Sequence, residues 1–324
     1  MNLKDNILIT GITGSGGSYL AEYIVNNHPE VNVWGLHRWH SAGTLVNIAN
    51  IKDRINIIEA DLVDLSSVMR ALKIVRPTKI FHLAAYANVR KCFETPLAVA
   101  DNNVRGTTNL LEAIRMICPE SIIQICSTSE VYGNPLTFPM TEEHPLKPVN
   151  PYSASKLSQE CFAYAYFKSW NLKIIITRMF AYINPRRHDL FAPAFALQIA
   201  EIERGNKRIL EHGNLDSIRT IIDVRDAMET YWIAAEKCAY GDPYNIGGRD
   251  VISVGEVLEI LKAKAKCKII SQEAGHLLRP VDVTRQVPDT TKFDALTGWK
   301  PRYKLEESLE WLLEHCRKEV NERS

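Results

Sequence analysis

The chain lacks any apolar run long enough to cross a bilayer, which argues against a membrane protein. It also lacks a surplus of either charge. With 39 Lys and Arg against 38 Asp and Glu the formal charge is +1, so nothing electrostatic points to a nucleic-acid partner. Its seven cysteines (Cys92, Cys118, Cys126, Cys161, Cys238, Cys267 and Cys316) are odd in number, scattered and never in C-x-x-C spacing. That pattern suits reduced thiols and excludes a disulfide frame or a zinc site, so no metal is expected. No signal-peptide pattern precedes the first strand, which points to a cytoplasmic location. No low-complexity linker and no internal repeat divides the chain.

What is there is 324 residues, 46% of them hydrophobic, enough for one large or two modest domains around a sizeable core. Strand and helix patterns alternate through the first half. Strands are expected at Ile7–Ile9, Val31–Leu36, Ile55–Ala60, Lys79–Ala85, Ser121–Cys126 and Leu172–Arg178. Helices are expected after Gly17 up to Pro29, at Leu65–Val75, Pro96–Ile117 and Pro151–Trp170. This βαβ alternation predicts an α/β fold, a Rossmann-type doubly wound parallel sheet with helices on both faces. After Arg178 the segments turn irregular and helices near 191–205, 224–238, 253–266 and 305–320 separate them. The expected division is a dinucleotide-binding domain at 1–178 and a smaller substrate lobe at 179–324. Segments near 223–246, with a short strand at Tyr244–Ile246, would return to the first domain.

The stretch Asn6–Ser18, NILITGITGSGGS, organises the rest. An apolar strand runs into Gly11, Gly14 and Gly17, and an amphipathic helix follows at once. Glycines at a strand–turn–helix junction let the backbone approach a pyrophosphate, whose charge the helix N-terminus holds. An acid at the end of the second strand usually binds the ribose hydroxyls of NAD. Here that place reads Gly35-Leu36-His37-Arg38-Trp39. Arg38 suits the 2′-phosphate of NADP, which is therefore expected, with NAD the alternative. Asp61 and Leu62, after the third strand, could meet the adenine edge, although Asp61 could equally cap the next helix.

Strand five leads into Ser127-Thr128-Ser129-Glu130, and Asn150-Pro151-Tyr152-Ser153-Ala154-Ser155-Lys156 follows some twenty residues later. Asn150 reads as an N-cap and Pro151 as a first-turn proline. Tyr152 and Lys156 then share a helix face at i and i+4. An ammonium beside a phenol lowers the phenol's pKa and makes it a usable base, and the lysine can also hold the nicotinamide ribose.

These residues are similar to the marks of the extended short-chain dehydrogenase/reductase family over nearly the whole chain. GITGSGGSYLAEYIV, RPTKIFHLAA, STSEVYG, the PRR at 185–187, GNLDSIRTIIDVRD, LRPVDV and TGWKP resemble the GDP-mannose 4,6-dehydratases within it. They also resemble the GDP-4-keto-6-deoxymannose reductases and the GDP-N-acetylglucosamine dehydratases. The resemblance implies that Gly11, Thr13, Gly14, Ser15, Gly16, Gly17, Leu83, Ala84, Ala85 and Arg187 hold the cofactor. It implies Asn88, Ser129, Arg219 and Arg279 for the nucleotide sugar. Catalysis would fall to Thr128, Glu130, Tyr152 and Lys156. Tyr152 would take the proton of the C4 hydroxyl as hydride passes to NADP, with Thr128 on that oxygen. Glu130 would remove the C5 proton as water leaves from C6. Hydride would return to C6 and Glu130 would reprotonate C5. A buried carboxylate suits that step.

Three positions depart from the family pattern. Its Asn and His ahead of the PRR are Ala181 and Tyr182 here, and its Arg-Asp after GNL-x-x-x is Arg219-Thr220, which leaves open a differently substituted hexose, such as an N-acetylated one. A reductase or epimerase on the same scaffold is the alternative function, and a dinucleotide-sensing module without catalysis a further one. The family further implies a homodimer or homotetramer through the helices at 96–117 and 151–170, with Leu110, Phe162 and Tyr166 as candidate contacts that could equally face the sheet.

Overall fold

The computed structural model describes residues 5–38, 45–278 and 280–323. Its strands are β1 (Asn6–Thr10), β2 (Asn32–His37), β3 (Asn56–Glu59), β4 (Lys79–His82), β5 (Ile122–Thr128), β6 (Lys173–Met179), β7 (Ala181–Ile183), β8 (Leu210–His212), β9 (Ile218–Asp223), β10 (Pro243–Ile246), β11 (Val251–Ser253), β12 (Ser271–Glu273) and β13 (Arg285–Gln286). Its helices are α1 (Ser15–Asn27), α2 (Leu65–Val75), α3 (Pro96–Ala100), α4 (Gly106–Ile117), α5 (Pro151–Trp170), α6 (Phe191–Glu203), α7 (Val224–Lys237), α8 (Val254–Ala263), α9 (Thr291–Thr297) and α10 (Leu305–Glu322).

Seven parallel strands form one sheet in the order β10-β6-β5-β4-β1-β2-β3. The order reverses between β1 and β4, which opens a crevice at the carboxyl ends of the strands, where ligands bind in such sheets. The apolar run of β1 serves both faces. Ile7 and Ile9 join a core with α1 and α7, while Leu8 joins a core with α2, α4 and α5. Burial on both sides is why the strand reads as continuous apolar sequence rather than as alternation.

The long helix expected over Pro96–Ile117 is interrupted. Asp101–Arg105 winds as a π turn between α3 and α4. Asn103 in that turn is fully buried. Its side chain takes the Tyr86 N–H at 2.6 Å and donates to Tyr86 O at 3.2 Å and Ser155 Oγ at 2.8 Å. The widened turn delivers a polar side chain to the chain leaving β4, and hydrophobic periodicity does not reveal it.

A third core joins α6, α8 and α10. β9 pairs with β7, β11 and β13, and β8 with β12. Residues of α6, β8, β9 and β12 line one cavity with the carboxyl ends of β5 and β6. β10 completes the main sheet beside β6, and α7 packs against α1. Phe293 and Trp299, from α9 and just beyond it, enter the same core as α1, so α9 also lies on the main sheet.

Candidate active site

A cavity of about 700 Å³ runs from the glycine turn to the loops between β8 and β9. Its floor is the junction of β1 and α1. Gly11 has φ +71°, and a Cβ there would stand 2.9 Å from Ala84 Cα. A Cβ at Gly17 would stand 2.3 Å from Gly11 O. Only glycine allows this tight passage. The first turn of α1 has no side-chain cap, and Gly14, Ser15, Gly16 and Gly17 line the cavity. A cradle of bare backbone at a helix N-terminus fits a pyrophosphate. On this observation the residues present suit a dinucleotide.

Thr128 ends β5, and its Oγ1 accepts from the Glu130 N–H at 3.3 Å to cap the short 3₁₀ turn Ser129–Tyr132. Glu130 is half-buried rather than enclosed, and its Oε2 accepts from Asn150 Nδ2 at 2.8 Å. The other end of the same amide caps α5, with Oδ1 accepting from the Ser153 N–H at 2.8 Å. Asn150 therefore ties the N-terminus of α5 to the carboxylate. Tyr152 and Lys156 project from the first turns of α5 into the cavity beside Thr128, Ser129, Glu130 and Arg187.

The electrostatics differ from the sequence expectation. Burial holds the Tyr152 phenol above its ordinary value, the Cys126 thiol adds to the rise, and the Arg187 guanidinium opposes it. Burial also pulls the Lys156 ammonium down, against the Cys126 thiol and the Glu160 carboxylate. The net shift of the phenol is therefore upward, opposite to the lowering expected from Lys156, because desolvation outweighs the Arg187 guanidinium. Arg187 is itself engaged. Its Nε and Nη2 donate to Asp189 at 2.7 and 2.9 Å, and Nη2 also to Ala87 O at 3.3 Å.

A family model described as GDP-mannose 4,6 dehydratase matches residues 8–311. The chain belongs to the GDP-mannose 4,6-dehydratase family. Membership makes it an enzyme of the dehydratase type. The chain is 30% identical to a GDP-mannose 4,6-dehydratase of Sordaria araneosa, over 93% of its own length and 59% of that protein's. It thus spans about three-fifths of that relative. To the GDP-mannose 4,6-dehydratase of Vibrio cholerae it is 28% identical, over 94% of this chain and 92% of the other. Among solved structures, the dTDP-glucose 4,6-dehydratase of Bacillus anthracis in complex with NAD superposes with a TM-score of 0.85. The two are 26% identical and each is covered to 98%.

For a chain of this family the remaining site residues divide. Leu83, Ala85, Ser129 and Arg219 line the cavity with the residues above. Arg219 is buried and donates to Ile218 O at 2.8 Å and Val283 O at 2.6 Å, with Asp282 Oδ1 at 4.0 Å. Thr13, Arg38, Asp61, Leu62, Ala84 and Asn88 stand outside the cavity lining. Ala84 lies behind Gly11, and Leu62 is buried against Gly106. Asp61 does not cap α2. Its Oδ1 accepts from Val63 N–H at 3.0 Å, whereas Asp64 is the cap. Asn88 accepts from the Lys91 N–H at 3.0 Å and closes a turn. Arg38 is exposed just past β2. Arg279 lies outside the described residues. The lining also includes residues that sequence reasoning missed, among them Cys126, Gln198, Asn214, Asp282 and Gln286. Most come from the irregular upper segments, where no period marks which side chains face inward.

Proposed function

We propose that this enzyme is a GDP-hexose 4,6-dehydratase, a hydro-lyase that turns GDP-mannose or GDP-N-acetylglucosamine into its 4-keto-6-deoxy derivative. The single observation that carries this is the meeting of Thr128, Glu130, Tyr152 and Lys156 with the glycine turn in one cavity. The glycine turn would hold the pyrophosphate of a nicotinamide dinucleotide and Lys156 its ribose, with Arg187 a further contact to the cofactor. When bound, the nicotinamide supplies the hydride acceptor for C4 and the hydride donor for C6. Tyr152 accepts the C4 hydroxyl proton as a phenolate, the form that the Arg187 guanidinium favours against burial and the Lys156 ammonium favours with it, while Thr128 holds that oxygen. Glu130 takes the C5 proton and passes it to the C6 hydroxyl, which leaves as water; a proton from solvent then reaches C5 through Glu130, replacing the one Tyr152 took from the C4 hydroxyl. Asn150, donating to one oxygen of that carboxylate, fixes the direction from which it meets the sugar.

Arg38 and the absence of an acid after β2 support NADP as the cofactor. NAD, the ligand of the Bacillus anthracis structure, is the alternative. Ser129, Arg219 and Arg279 are assigned to the substrate diphosphate and sugar. A reaction among nucleotide sugars in the cytoplasm and assembly as a homodimer or homotetramer complete the reading. Phe162 and Tyr164 on α5 are exposed and support that interface, but Leu110 and Tyr166 are buried inside the chain and are withdrawn from it.

Mass spectrometry of the products, with no reductant added, tests the assignment. GDP-mannose or GDP-N-acetylglucosamine should lose one water while UDP-, CDP- and dTDP-sugars do not. If no product forms without reductant, but added NADPH is consumed one per turnover with a GDP-4-keto-6-deoxy sugar, the protein is a reductase instead.

A further inference from the structure

Below the strand ends lies a polar row that the mechanism above does not use. Ser127 on β5, Arg178 on β6 and Asn245 on β10 are register partners on three adjacent strands. All three are buried. Glu160 reaches this row from α5, one turn beyond Lys156 and two beyond Tyr152, so all three side chains leave one helix face. The Arg178 Nε donates to Glu160 Oε1 at 3.1 Å and Oε2 at 3.2 Å, and Nη2 donates to Oε2 at 2.8 Å. Ser127 Oγ donates to the same carboxylate.

Arg178 also reaches the other catalytic segment. Its Nη1 donates to Tyr132 Oη at 2.9 Å, and its guanidinium lies 5.0 Å from the Tyr132 ring centroid. Tyr132 ends the 3₁₀ turn that carries Glu130, and its hydroxyl donates to Asn245 Oδ1 at 2.7 Å. A buried ion pair is weak evidence for stability, because desolvation offsets the attraction, so a role in fixing one geometry is the better reason for this one.

We propose that Glu160, acting through Arg178 and Tyr132, is a positioning residue that locks the Glu130 turn against the helix bearing Tyr152 and Lys156. Asn150 holds that carboxylate from one side, and the Glu160–Arg178–Tyr132 chain holds its turn from the other. The inference rests on the dehydratase reading for its kinetic consequence and on geometry alone for the rest.

Removal of Glu160 would strand a buried guanidinium and risks unfolding the protein. Tyr132→Phe keeps the ring and cuts the link. With GDP-mannose or GDP-N-acetylglucosamine, whichever the wild type converts, Y132F should lose about tenfold in kcat with KM within twofold. Reduced nicotinamide should build up on the enzyme, because oxidation at C4 proceeds while proton removal at C5 lags. An unchanged kcat, or a loss without reduced nicotinamide, overturns the proposal. Crystal structures of wild type and Y132F give a second test that needs no turnover: a displaced Glu130 supports it, an unmoved one overturns it. If the wild type dehydrates no GDP-hexose, the dehydratase reading fails and the crystal structures alone decide the positioning role.

Discussion

Glu130 is the side chain on which the elimination depends, and its surroundings say how to probe it. It accepts from Asn150 Nδ2 and opens toward the cavity. Glu130→Gln keeps the shape and loses the base. The rate of 6-deoxy product should fall by about 100-fold or more, the scale of a lost general base. Adding substrate should leave reduced nicotinamide visible by absorbance, and an unchanged product rate would remove Glu130 from the mechanism. Arg38 tests the cofactor. A charge-assisted contact to a 2′-phosphate is worth about 1.5–3 kcal/mol, so Arg38→Ala should weaken NADP by about tenfold or more. NAD should be nearly unaffected in the same titration. Equal losses would show that Arg38 does not read the phosphate.

Among the elements, α5 gathers most of the chemistry, and its start is the sensitive point. Asn150→Ser retains an N-cap of equal quality, so the melting temperature should hardly move. The shorter hydroxyl cannot reach Glu130 while it caps the helix, however, so product formation should drop. Asn150→Ala should lose both, with about 1 kcal/mol of stability gone. Thermal melts and product rates on the two variants separate the cap from the carboxylate contact.

The ends of α5 are legible in the residues, because Asn150-Pro151 starts a helix by its own chemistry and the helix closes at Trp170. The β1–α1 turn is legible for the same reason, since its glycines have steric causes that act locally. The second amide contact of Asn150, the π turn at Asp101–Arg105 and the packing of α9 on the main sheet are not. Each depends on a partner far away in the chain. The direction of the Tyr152 shift escapes the sequence because spacing reveals the neighbouring lysine but not the depth of burial.

At the scale of the molecule, a histidine in the core should make stability depend on pH. His82 ends β4 fully buried, its ring nitrogens 2.8 Å from Thr10 Oγ1 and 2.8 Å from Thr107 Oγ1. Burial, helped by the Lys156 charge, pushes its pKa down from 6.5 to about 3. Between those values the unfolded chain binds the proton and the folded chain does not. The contribution is therefore complete above the unfolded pKa and is lost as pH falls toward the folded one, by about 1.4 kcal/mol per pH unit. Urea unfolding at pH 7 and pH 5 should show this loss, and His82→Gln, which can still donate and accept, should flatten it. Equal pH slopes in both proteins would show that His82 does not set the dependence.

The position of β10 at one border of the main sheet matters during synthesis. The strand it pairs with, β6, is finished at Met179, yet β10 begins only at Pro243. A growing chain on the ribosome therefore carries the isoleucine-rich rim of β6 unpaired while more than sixty further residues emerge. An uncovered rim of this kind recruits other strands. Chaperone demand and co-translational aggregation should peak in that interval, and fall once the last neighbour has been translated.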